Sequence, residues 1–268
     1  MPRSPNSSRE WNSAEYHRLS QPQVSWGKKV LSRLQLRGDE LLLDAGCGTG
    51  RLTADLLHSL PRGRVIALDV SLNMSRAARE YLQAQFGDRA QVVTADLLHL
   101  PFTGAFDGVV STAAFHWVLD HDRLFRGLFQ SLRPGGWLQA QCGGGQNLAR
   151  LGTRMAALAA SPTFAPFLAS FRSPWLYQDA EGAVDTLRRA GFVELQTGLE
   201  AAPTLFDDRR HYTQFMKTVI VHTHLDRLPD EHLRDQYVSA LADQAANDDP
   251  PFLLDYWRLN LSARKPSE

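Results

Sequence analysis

The sequence predicts an α/β fold in which a mostly parallel sheet carries helices on both faces. Three observations predict it. Short apolar runs recur between stretches with the three-and-four spacing of helices, the alternation that builds parallel sheets. The runs are continuous, as in Leu41-Leu42-Leu43 and Val65-Ile66-Ala67-Leu68, and such a strand suits a sheet covered on both sides. Three of the runs close on an aspartate, Asp44, Asp69 and Asp96, so one sheet edge collects three carboxylates.

The elements follow in order. Residues 11–20 read as a short helix and residues 23–34 as an amphipathic one. Arg37-Gly38-Asp39-Glu40 turns the chain into the first strand, which ends at Asp44. Residues 51–57 are helical, and residues 63–69 form the second strand. Ser71 caps the next helix, whose periodic residues run from Leu72 to Leu82, and Gly87 stops it. Residues 91–96 and 105–111 are the third and fourth strands. Residues 123–132 are helical, and Pro134-Gly135-Gly136 turns into a fifth strand, 137–142. Beyond it come a helix over 146–160, a Pro-broken aromatic stretch, a helix over 179–190 ended by Gly191, and a strand over 192–199. Residues 207–225 and 230–246 read as two further helices, and residues 252–263 return as a strand.

This divides the chain into a disordered tail at 1–10, a core at 11–206 and 249–268, and a helical cap inserted at 207–248. A length of 268 residues is ample for a large core. Lys and Arg number 29 and Asp and Glu number 29, so nothing in the charge balance calls for nucleic acid or an anionic membrane. The tail has no apolar core of a signal peptide, and no run is long enough to span a bilayer. Two cysteines, Cys47 and Cys142, make no disulfide framework and fit reduced thiols in a cytoplasmic protein.

The first strand runs directly into Ala45-Gly46-Cys47-Gly48-Thr49-Gly50. Alternate glycines let the backbone enter positive φ and leave bare main chain for a ligand. The helix that follows offers free N–H groups and a positive dipole end, so a nucleotide-like cofactor is the natural occupant. The spacing is not the dinucleotide Gly-x-Gly-x-x-Gly, because Arg51 stands where that pattern needs its third glycine. Asp69 lies where a carboxylate can accept both ribose hydroxyls, and Asp96-Leu97 where a carboxylate and a backbone N–H can meet an adenine.

Together, Leu43 to Gly50, Ala67-Leu68-Asp69-Val70-Ser71-Leu72-Asn73-Met74, Thr94-Ala95-Asp96-Leu97 and Leu132-Arg133-Pro134-Gly135-Gly136 resemble successive motifs of class I S-adenosylmethionine-dependent methyltransferases. The resemblance covers residues 40–142. It implies a Rossmann-like, seven-stranded sheet with an antiparallel last strand. It also implies S-adenosyl-L-methionine as cofactor, touched by Asp44, Gly46, Cys47, Gly48, Gly50, Asp69, Val70, Asp96, Leu97 and Ser111. A narrower likeness is carried by Tyr16-x-x-x-Ser20-x-x-Gln23-x-x-Trp26-Gly27, by residues 111–121 and, more weakly, by Leu254-x-Tyr256-x-Arg258-Leu259. These are similar to the trans-aconitate, juvenile hormone acid and malonyl-carrier-protein methyltransferases, which esterify carboxylates.

That likeness implies a small-molecule acceptor beneath the cap. Gln23 and Trp117 would donate N–H groups to its carboxylate, and Phe115, Phe215, Met216 and Ile220 could surround its body. His116 could be a base, a hydrogen-bond donor or simply a packed histidine. Arg209, Arg210 and Lys217 do not concentrate enough charge for a tricarboxylate, which favours a mostly apolar acid. His211, His222 and His224 lack a carboxylate or cysteine to complete a metal site and read as surface histidines. The rivals are an NAD-type oxidoreductase, a methyltransferase for hydroxyl, carbon or nitrogen, and a non-methylating protein of this fold, since cofactor motifs do not report chemistry.

Overall fold

The computed structural model describes residues 10–268. Its strands are β1 (Leu41–Ala45), β2 (Arg64–Asp69), β3 (Ala90–Thr94), β4 (Phe106–Thr112), β5 (Leu132–Gly143), β6 (Val193–Ala201), β7 (Thr204–Leu205), β8 (Leu253–Leu254) and β9 (Trp257–Arg264). Seven of them form one sheet in the order β3-β2-β1-β4-β5-β9-β6, and β7 and β8 form a separate two-stranded ribbon. β1 to β5 run parallel, and β9 runs antiparallel to both of its neighbours. The expected strand over 252–263 is therefore broken: its first residues pair with β7, and its remainder enters the sheet.

Helices cover both faces. α1 (Ser13–Leu19), α2 (Gln21–Leu31), α3 (Arg51–His58) and α4 (Leu72–Phe86) precede α5 (His121–Ser131), α6 (Ala149–Ala159), α7 (Ala165–Leu168) and α8 (Ala180–Ala190). Consecutive residues of one strand serve opposite cores. Leu42, Ala67 and Val110 pack with Val30, Leu57 and Leu82 of α2, α3 and α4, whereas Leu43, Leu68 and Val109 pack with Phe125, Leu128 and Leu187 of α5 and α8. This is the side-chain alternation of a strand buried on both sides. Ser71 caps α4 by accepting the Met74 N–H at 3.2 Å, and Gly87 ends it at φ 53°.

A third core lies beyond the carboxyl edge of the sheet. The helix read over 207–225 is broken into α9 (Arg209–Phe215), a π-helical turn (Met216–Ile220) and α10 (His222–Leu225), whereas the helix read over 230–246 is α11 (Glu231–Ala245). Tyr212, Phe215 and Met216 bury here against Tyr237, Leu241, Leu151, Met155 and Phe164. The helical lobe thus draws on α6 and α7 as well as on 207–248. Residues 1–9 of the expected tail lie outside the described residues. Glu10 belongs to the fold: its carboxylate accepts from Ser71 Oγ at 2.9 Å and from the Leu72 and Asn73 N–H groups at 3.0 and 3.2 Å, at the N-terminus of α4. No described helix is long and apolar enough to cross a membrane.

Candidate active site

Where β1 ends, the chain turns without side chains. Gly46, Gly48 and Gly50 sit at φ 91°, 55° and 83°. The Gly46 and Cys47 N–H groups donate to the Leu68 carbonyl at 2.8 and 2.9 Å, tying the turn to β2. A Cβ on Gly46 would lie 2.3 Å from that of Ala114, so the bare backbone here is a steric requirement. Asp69 closes β2, with Oδ2 accepting the Gly48 N–H and Oδ1 the Ser71 N–H, both at 2.9 Å. Burial raises its pKa, and these two hydrogen bonds oppose the rise. Asp96 lies two residues past β3, where it accepts the Leu98 N–H at 2.9 Å.

These groups open onto one cavity of 580 Å³, within the range of small-molecule sites. Of the residues expected to touch the cofactor, Gly46, Gly48, Asp69, Val70, Asp96 and Leu97 line it, and so does Trp117, expected at the acceptor. Trp11, Phe171, His222 and Arg227 line it as well. Four expected cofactor residues are placed elsewhere. Asp44 is one position before the end of β1, so its side chain turns inward and accepts from Thr53 Oγ1 at 2.6 Å; burial lifts its pKa to about 7. Ser111 donates its hydroxyl to the Ala45 carbonyl at 2.6 Å, within the sheet. Gly50 meets Leu82 and Ala78, which makes it a packing residue for α4. Cys47 lines a side cavity of 60 Å³ and its thiol pKa is pushed well up by burial.

A second small cavity, of 40 Å³, adjoins the first. Tyr16 and Ala113 line all three, and Trp11 and Trp117 are shared by the large cavity and this one. Ala113 holds φ 56°, a left-handed conformation rare outside glycine and of the kind that collects at functional sites. Gln23, His116 and Trp117 meet on the wall of this cavity, with Ile220. The Gln23 Oε1 is buried without a partner among the described residues. His116 Nδ1 accepts the Gly143 N–H at 3.3 Å, which leaves the ring proton on Nε2, and burial followed by the charge of Arg258 keeps the ring neutral. The other expected acceptor contacts do not reach a cavity. Phe115 packs on Phe125 in the sheet core, and Phe215 and Met216 are buried in the helical lobe.

Two histidines read from sequence as surface residues turn inward. His224 is buried against Phe171 and Tyr237. His222 packs on Trp11, with ring centroids 4.2 Å apart, and faces the 580 Å³ cavity with neither ring nitrogen paired among the described residues. Burial lowers its pKa to about 4, so it is a neutral imidazole. The sequence reading also missed Trp11, Asn147, Trp175, Tyr177, Tyr256 and Arg258 as cavity residues. Tyr256 and Arg258 stood in the weak C-terminal motif, and Arg258 carried a further signal: a cation in the middle of a strand whose neighbours Leu259 and Leu261 are apolar.

The glycine turn, the carboxylate at the end of β2 and the acid after β3 suit the methionine, ribose and adenine portions of S-adenosylmethionine. Residues 42–136 match the family model of a methyltransferase domain. The chain belongs to the class I S-adenosylmethionine-dependent methyltransferases, and S-adenosylmethionine is its cofactor. It is similar to a trans-aconitate 2-methyltransferase of Deinococcus radiodurans, with 31% identity over 71% of this chain and 69% of the relative. It is likewise 31% identical to a malonyl-[acyl-carrier protein] O-methyltransferase of Methylovorus sp., over 73% of this chain and 65% of that one. A Haemonchus contortus phosphoethanolamine N-methyltransferase solved with phosphomonomethylethanolamine and S-adenosylhomocysteine shares the fold, with a TM-score of 0.62 over 95% of this chain and 57% of that chain at 17% identity.

Proposed function

We propose that the enzyme methylates a carboxylate oxygen of a small, mostly apolar acid. One observation carries the reading: Gln23 from α2 and Trp117 from the turn after β4 line a single 40 Å³ cavity beside the cofactor cradle. The names of the two relatives compared by sequence support it: one denotes transfer to trans-aconitate, an acid, and the other transfer to an oxygen of a malonyl-carrier protein. Bound S-adenosylmethionine supplies a methyl group on a positively charged sulfur. Gly46, Gly48, Asp69, Asp96 and Leu97 would hold it.

The rest is the work of this chain's side chains. A carboxylic acid with pKa near ~4 is already ionised at neutral pH, so no general base is required. This agrees with a site whose histidines, the buried His116 and the partly buried His222, are neutral. The Gln23 amide and the Trp117 indole orient the anion as neutral donors. Trp11, Tyr16, Trp175 and Ile220 exclude water around it. In such a site, holding an oxygen in line with its target can be worth roughly 7–11 kcal/mol. We further propose that residues 207–248, with α6 and α7, act as the cap that closes this space.

A second reading has its own support. His222, unprotonated and unpaired, could accept the proton of a hydroxyl acceptor in the larger cavity. One panel separates the two: fatty, isoprenoid and aromatic acids, their matched alcohols and amines, and trans-aconitate, with products identified by mass. Methyl esters are expected. Methylation confined to alcohols or amines overturns the carboxylate reading.

A further inference from the structure

Among the described residues, Arg258 is a buried cation without a counter-ion. It is 2% exposed, and its Nε and Nη2 have no hydrogen-bond partner among the described residues. Its guanidinium carbon lies 4.3 Å from the centroid of the Trp26 ring, a cation–π contact. The titratable groups facing it are Tyr16, His116, Cys142, Tyr177 and Tyr256. None of these carries a negative charge near neutral pH: burial pushes Tyr16 up to about 12 and Cys142 up to about 11. A charge out of water and unpaired is costly, and proteins rarely keep one unless a partner arrives.

The backbone explains its position. β9 runs against β5, with Arg258 opposite Gly143, so the first residues of β9 stand at the carboxyl edge of the parallel strands. That edge is where the cradle opens. Arg258 lines the same 40 Å³ cavity as Gln23 and Trp117. A guanidinium offers parallel N–H groups spaced for a carboxylate, and Gln23 and Trp117 supply neutral donors beside it.

We propose that Arg258 is the anchor for the acceptor's carboxylate, the same group that is methylated. This rests on the carboxylate reading above and extends it. Pairing through the fork engages one lone pair on each carboxylate oxygen, so the attacking oxygen keeps its second lone pair for bond formation. Esterification then removes the negative charge. The oxygen–methyl bond forms as the methyl–sulfur bond breaks, the sulfur keeps that electron pair, and no proton moves. The ester left behind cannot pair with Arg258, so the enzyme binds its substrate as an ion pair and its product as a neutral molecule. Arg258 would therefore discriminate acid from ester and promote product release.

The test uses the whole chain with S-adenosylhomocysteine bound, and octanoate and benzoate as probes against octanamide and benzamide at matched ionic strength. The acids should raise the wild-type melting temperature and the amides should not. Arg258→Gln should abolish that difference, and Arg258→Lys should restore part of it. For an acid that the wild type methylates, Arg258→Gln should raise KM by roughly 30-fold or more, the cost of stripping one partner from a buried charge pair. Arg258→Met, in the ligand-free protein, should melt no lower than wild type because it removes an unpaired buried charge. Loss of S-adenosylhomocysteine affinity in Arg258→Gln with acid affinity intact would assign the guanidinium to the cofactor and overturn the proposal. So would a wild type that no acid stabilises over its amide. Acids bound through Arg258 but methyl found only on alcohols or amines would sink the reaction reading and leave the anchor. Esters formed by Arg258→Gln at an unchanged KM would do the reverse.

Discussion

The two cavities are made by different means. The cofactor cradle comes from three consecutive strand ends, residues 44–97, and its shape is set by backbone: glycines at positive φ, and N–H groups that donate to Asp69. The adjoining cavity is made of side chains from segments far apart in the chain, including Tyr16, Gln23, Trp117, Tyr177, Ile220 and Arg258. A cradle of backbone admits few substitutions and presents much the same surface to one invariant ligand. A wall of side chains can change residue by residue without disturbing the strands. On the proposed roles, commitment to the cofactor and choice of acceptor would be separable in this molecule.

Substitutions can break or sharpen that contrast. The largest effect is expected from Gly46→Ala. Its Cβ has no room beside Ala114, and its φ of 91° is strained for alanine, so both the turn and the cofactor site should fail. Calorimetry should find no binding of S-adenosylhomocysteine; near-normal affinity would refute the claim that backbone shape sets the cradle. A crossed pair comes next. Asp69→Ala should weaken S-adenosylhomocysteine by about 10- to 100-fold, as one or more charge-assisted hydrogen bonds are lost. The double substitution Gln23→Ala, Trp117→Phe should leave that affinity within about threefold and lower the turnover of acids by roughly tenfold or more. If both variants lose cofactor affinity alike, the two regions are one site.

Asp44 gives a smaller effect, confined to stability. Its pKa is about 7 in the folded chain and about 4 when unfolded. Between those values the folded form keeps a proton that the unfolded form has lost, so stability falls as pH rises. Asp44→Asn keeps an acceptor for Thr53 and cannot ionise. In urea titrations it should be more stable than wild type by about 1 kcal/mol or more near pH 8, with the gap closing near pH 4. A pH-independent difference would show that Asp44 does not titrate as its burial implies. The smallest effect concerns motion. Hydrogen exchange in 209–225 should slow by about tenfold when S-adenosylhomocysteine and an acid are added, while β1 changes little. Equal slowing in both would make the helical lobe a fixed wall.

The same contrast decides what the sequence disclosed. Positive φ leaves a mark in residue type, so three glycines at alternate positions announced the turn before any coordinates. Asp69 and Asp96-Leu97 were legible because each strand end follows a recognisable apolar run. Asp44 and Ser111 turn away from the cavity for local reasons that residue type does not mark: strand alternation takes the Asp44 carboxylate to Thr53, and the Ala45 carbonyl takes the Ser111 hydroxyl. The helical lobe was legible as helices but not in extent. A π-helical turn shares its apolar faces with an α-helix over so short a stretch, and α6 and α7 join only by tertiary packing. His222 was hidden because a lone polar residue among apolar ones looks the same whether it faces water or a cavity, and for the same reason the cation at Arg258 marked an oddity in its strand without saying what it faces.

The position of β9 bears on how the protein is made. Its two neighbours, β5 and β6, are both translated before it, and neither pairs with the other. Until β9 emerges, each presents an open row of backbone donors and acceptors, the kind of edge that recruits other chains. The gap can be closed only by the strand that brings in Arg258. Vectorial synthesis therefore couples sheet closure to installation of the charged group, and a nascent chain stalled before Trp257 holds a complete cofactor turn beside an unpaired pair of edges. Such intermediates are the ones a chaperone should hold longest.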